Sequence, residues 1–161
     1  MQVLNVLNIK YVIPKDELKP ISILFLSVLI LAVNKSFGSI QFARQVFSGI
    51  SENDSVIYLF ISTFILLGIV PLFLINVAFK ESVKEYGLNI GDWKKGIKSI
   101  AILFPVIAAF VLYPSIYNQE MVSFYPQSKE VATSTNLFLK FEAIRILLFY
   151  TGWEIFFRGF M

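Results

Sequence analysis

The sequence predicts an all-α protein, a polytopic transmembrane bundle of about four membrane helices, and three observations carry that prediction. With 57% hydrophobic and 16% aromatic residues and a mean hydropathy of +0.71, the chain is too apolar for an ordinary soluble domain of 161 residues. Its apolar residues fall into four runs separated by short polar loops. The lysines concentrate in alternate loops, the asymmetry expected of a chain that crosses a bilayer repeatedly.

The first run, residues 21–33, follows Lys15, Lys19 and Pro20. At 13 residues it is shorter than the ~20 a spanning helix needs, so the helix is expected to continue through Ser36 to Phe47 as an amphipathic extension. A secretory signal peptide would also place an apolar stretch behind basic residues. No small-x-small cleavage site follows, however, and three later runs hold the chain in the membrane in any case. The second run, residues 56–79, has 24 residues without a charge and ends at Lys80 and Glu81. Gly68 and Pro71 inside it predict a kink or a close helix contact. The third, residues 97–112, carries Pro105 at its middle, a Tyr113-Pro114 stop and Tyr117 beyond as an interface anchor. The fourth, residues 137–161, holds Lys140, Glu142 and Arg145 in its first turns. Glu142 and Arg145, three apart, can pair on one helix face as an anchor at the membrane boundary. No repeat or low-complexity tract interrupts the chain, and residues 1–161 read as one transmembrane domain.

The formal net charge of +3 is small, and its basic residues lie in loops rather than in a stripe, which argues against a nucleic-acid partner. Cysteine and histidine are both absent. Disulfides, thiol catalysis and thiolate metal sites are thereby excluded, and the commonest general base is missing. Any metal would have to be held by carboxylates and carbonyls, so neither metal nor cofactor is expected. Lys10, Lys15 and Lys19 precede the first run, and Lys80, Lys84, Lys94, Lys95 and Lys98 lie between the second and third. The other loops carry only Lys35 and Arg44, or Lys129. The positive-inside rule therefore puts the N-terminus and the 80–98 loop in the cytoplasm, and the fourth helix enters from outside.

The most informative polar residues are Glu154 and Arg158, set in the apolar stretch Gly152-Trp153-Glu154-Ile155-Phe156-Phe157-Arg158-Gly159. An ion at membrane depth costs about 2.5–3.5 kcal/mol on the mildest insertion scale, so such groups pair, face a polar cavity and mark function. Spacing i,i+4 places both on one helix face, in the cytoplasmic half of the fourth helix. A buried structural pair, or an arginine snorkelling from a helix end, accounts equally for the residues taken alone.

Residues 152–161 resemble the first motif of the CPBP family of intramembrane proteases, which includes CAAX-processing and bacteriocin-linked enzymes. Glu85-Tyr86-Gly87-Leu88 with Gly91-Asp92-Trp93-Lys94-Lys95-Gly96, then Tyr125-Pro126 and Phe141-Glu142, are similar to the family's context before that motif. The resemblance implies a glutamic intramembrane endopeptidase acting on membrane-associated peptides or proteins in a bacterial cell membrane, with Glu154 and Arg158 as its catalytic residues. The family's motif is Glu-Glu-x-x-x-Arg, completed by later helices with Phe-x-x-x-His and His-x-x-x-Asn or Asp. This chain has Trp153 in place of the first glutamate, the residue assigned as base toward water, and no histidine. The expectation is therefore an incomplete and inactive N-terminal portion of a larger CPBP-type domain. Two other readings stand beside it: a non-enzymatic scaffold or immunity-type relative in which Trp153 packs, and a transporter fragment. Substrate, scissile bond and oligomeric state have no signature in the sequence.

Overall fold

The computed structural model describes residues 15–89 and 91–161, and among them every regular element is helical. Lys10 lies outside the described residues, as does the side chain of Lys15. The elements are α1 (Lys15–Phe37), α2 (Ile40–Val46), α3 (Glu52–Ala78), α4 (Trp93–Ser115), α5 (Gln119–Phe124) and α6 (residues 135–160). Two 3₁₀ turns, Val83–Tyr86 and Lys129–Thr133, precede α4 and α6 respectively.

The first apolar run departs from the sequence expectation at both ends. α1 begins at Lys15 and stops at Phe37, and residues 40–46 form a separate helix instead of an extension. The break combines a local turn with a contact from α3. The Gly38 N–H donates to Asn34 O at 2.8 Å, and a Cβ on Gly38 would lie 2.7 Å from that same carbonyl oxygen, leaving room only for glycine. Ser39 then restarts the helix, its Oγ accepting from the Phe42 N–H at 3.1 Å. Tyr58 of α3 fixes the return: its hydroxyl donates to Phe37 O at 2.8 Å and its ring lies near those of Phe42 and Phe47.

α3 contains the uncharged second run. Ser51 caps it by accepting from the Asp54 N–H at 3.0 Å, with Glu52 and Asp54 at the positive end of the helix dipole. Asp92 caps α4, its Oδ1 accepting from the Lys95 N–H, and the helix continues through Pro105 and past the expected Tyr113-Pro114 stop to Ser115. The chain turns at Asn118, whose side chain accepts from the Glu120 and Met121 N–H groups and opens α5.

α1, α3 and α4 are long and apolar enough to span a membrane, and the molecule is an integral membrane protein. α6, about 39 Å long at 1.5 Å per residue, has the length of a span. It differs in carrying five charged residues, Lys140, Glu142, Arg145, Glu154 and Arg158. Of the four expected spans, three therefore combine length with apolar composition.

α3 is the centre of the packed unit, with α1 and α6 against it. At one end Ile30 of α1, Leu67 and Ile75 of α3, and Phe156 and Phe160 of α6 form a buried cluster. At the other, Val56 and Phe60 of α3 pack with Val131 and with Phe141 of α6. Lipid tails are as apolar as these side chains, so close backbone approach rather than water expulsion holds such helices together. Gly152 supplies that approach, because a Cβ there would fall 3.1 Å from both Phe64 Cα and Thr63 O. α4 stands apart, and none of its residues is buried.

Lys19 near the start of α1 and Glu81 after α3 form an ion pair at 2.7 Å, so these two ends share one side of the bundle. The end of α6 packs on the Val83–Tyr86 turn at that same side. At the opposite side Glu52 Oε2 accepts from the Lys129 N–H at 3.1 Å.

Candidate functional site

Glu154 and Arg158 come together as their spacing requires, with Arg158 Nη1 3.0 Å from Glu154 Oε2. The pair occupies the outer face of α6, and its side chains are 58% and 74% exposed. Gly152, Phe156, Gly159 and Phe160 form the opposite, buried face. This division follows from helical geometry: the small and apolar residues seat α6 on α3, which leaves both charges turned outward.

On one flank, Phe149, Trp153 and Phe157 rise at four-residue intervals, with ring centroids 5.7 and 4.8 Å apart. An open cavity of about 460 Å³ is bounded by Trp153, Phe157 and the pair. On the other flank, Gly87, Leu88 and Asn89 enclose about 280 Å³ with Glu154 and Arg158. Leu88 reaches this position only because residue 159 is glycine; a Cβ there would lie 2.8 Å from Leu88 Cγ and Cδ1.

The arrangement offers one carboxylate and one guanidinium with room on either side. The carboxylate can accept a proton, and the guanidinium has donors left over for a carbonyl or an anion. Trp153 cannot accept a proton, since its indole only donates. Among the described residues no three acidic side chains converge as a metal cage would need.

Two other polar centres are better enclosed. Glu142 and Arg145 pair at 2.8 Å as their spacing indicates, but Arg145 also donates to Tyr150 OH at 2.7 Å and lies over the rings of Tyr125 and Tyr150. Its side chain is only 14% exposed. The second centre joins Lys19, Glu81 and Tyr86, where the Tyr86 hydroxyl donates to Glu81 Oε2 at 2.7 Å and Lys19 sits over the tyrosine ring. Hydrogen bonds from Lys19 and Tyr86 hold the Glu81 carboxyl below its ordinary value. Burial pushes the Tyr86 phenol up, and its bond to the Glu81 carboxylate adds to that. Sequence spacing marks the Glu142–Arg145 half of the first centre. Tyr125 and the whole second centre arrive from distant segments and leave no sequence signal.

Fold and site together define an all-α integral membrane protein that presents an exposed charged pair at one end of a packed three-helix unit. No family model, curated protein or solved structure matches the chain.

Proposed function

We propose that this chain is a CPBP-type, glutamic intramembrane endopeptidase segment, directed at peptide bonds of membrane-associated peptides or proteins and inactive by itself. The observation that carries the reading is the Glu154–Arg158 pair, 3.0 Å apart on the face of α6 that the packed unit leaves open. Peptide hydrolysis needs a carboxylate to activate water and positioned donors to stabilise the tetrahedral oxyanion. Glu154 is the acid/base group and Arg158 its partner. Trp153 and the lack of histidine remove the first base and the oxyanion donors, hence the expected inactivity. Lysine asymmetry supports a cytoplasmic N-terminus, and the resemblance points to a bacterial cell membrane.

A non-enzymatic scaffold or immunity-type role is favoured by a different observation. Trp153 stacks between Phe149 and Phe157, a packing role for the residue that replaces the missing glutamate.

Transplanting residues 152–161 into a complete, active family member separates the two. Under the protease reading the chimera regains proteolysis once Trp153→Glu restores the first base, and that proteolysis disappears in Glu154→Gln. A Trp153→Glu chimera as inactive as its Glu154→Gln variant would replace this reading with the scaffold. Purified unmodified chain in liposomes should leave membrane peptides intact, and cleavage abolished by Glu154→Gln would refute the expected inactivity.

A further inference from the structure

The end of the bundle opposite Glu154 and Arg158 holds a second cavity, of about 280 Å³. Its apolar wall is formed by Ile57 of α3 with Phe141 and Ile144 of α6, and its polar groups are Asn53, Glu130 and Lys140. Glu130 and Lys140 carry opposite charges, yet they form no ion pair with each other or with another described residue.

The cavity lies where α3 and α6 begin, so its mouth is at headgroup level and its apolar wall runs toward the hydrocarbon. We propose that it binds a zwitterionic phospholipid with a primary ammonium headgroup, of the phosphatidylethanolamine type. The phosphodiester meets Lys140, the ammonium donates to the Glu130 carboxylate, and an acyl chain follows Ile57 and Ile144. Two opposite charges that line one cavity without pairing match the two charges of such a headgroup. Ammonium N–H donors suit the Glu130 carboxylate, whereas a choline headgroup has none. The proposal does not depend on the protease reading.

The test uses the full chain, purified in mild detergent and lipid-stripped, with native mass spectrometry and thermal unfolding in the presence of phosphatidylethanolamine, phosphatidylcholine or phosphatidylglycerol. Phosphatidylethanolamine should be retained best and raise the unfolding temperature most. Glu130→Gln and Lys140→Gln should each weaken its binding by roughly tenfold, the loss expected of one charge-assisted contact, while the lipid-free unfolding temperature stays put. Lys94→Gln, at the other end, should bind as the parent does. Equal retention of all three lipids, or parental binding by both cavity variants, would overturn the proposal. Soluble glycerophosphoethanolamine binding as tightly as the lipid would replace the lipid with a free zwitterion.

Discussion

Gly68 of α3 and Gly152 of α6 face each other at the helix crossing, a Cβ on Gly68 falling 3.6 Å from Gly152 Cα. The two glycines are not equivalent. A methyl on Gly68 meets chiefly the Phe64 ring at 3.3 Å, which can swing aside, whereas one on Gly152 meets the Phe64 and Thr63 backbone at 3.1 Å. Backbone in a packed helix does not yield. Gly152→Ala should therefore destabilise the bundle by about 1–3 kcal/mol, the usual cost of overpacking. Gly68→Ala should be near neutral, its crowding offset by better helix propensity. Thermal unfolding in detergent distinguishes them, and equal melting temperatures for the two variants would mean that α6 is not seated on Gly152.

The two i,i+3 and i,i+4 pairs of α6 should respond differently to loss of one partner. Arg145 is enclosed by Glu142, Tyr125 and Tyr150, so Arg145→Leu strands a carboxylate in a poorly solvated place and should cost about 3 kcal/mol. Arg158 is 74% exposed, and Arg158→Leu should cost less than about 1 kcal/mol. Denaturant titration of both variants gives the comparison. A larger loss for Arg158→Leu would show that the exposed pair, and not the enclosed one, organises the helix.

Stability should fall on acidification through Glu81. Its carboxyl is held below the ordinary carboxylate value by Lys19 and Tyr86, so the folded state favours the ionised form. The sign follows: the contribution is fully present above the unfolded-state value and is lost as pH drops through the lowered folded-state value. Melting temperature measured from neutral pH down to pH about 3 should decline less steeply in Glu81→Gln than in the parent. Parallel curves would remove Glu81 from the account.

Sidedness can be read without background labelling, because the chain has no cysteine of its own. Lys94→Cys should react with a membrane-impermeant maleimide only from the cytoplasmic side, and Lys129→Cys only from outside. Reversed reactivity at both positions would invert the orientation and move Glu154 and Arg158 to the outer leaflet.

By itself the sequence determined the all-helical membrane class, the apolar body of α3 although the helix begins at Glu52, and the meeting of Glu154 with Arg158 and of Glu142 with Arg145. Each of these depends on local spacing: apolar run length, or residues three and four apart on one helix. Tertiary structure decided the rest. It ended α1 at Gly38, where Tyr58 from α3 claims the Phe37 carbonyl, so the expected extension to Phe47 became a separate helix folded back on α3. It buried Gly152 against Thr63 and Phe64, which turned Glu154 and Arg158 outward, and it gathered Tyr125 over Arg145 and Lys19 over Glu81. Lys19 and Glu81 are 62 positions apart, and periodicity carries no information across such a distance. Which face a helix exposes is fixed by what packs behind it, a property of the neighbouring segments rather than of the helix's own residues.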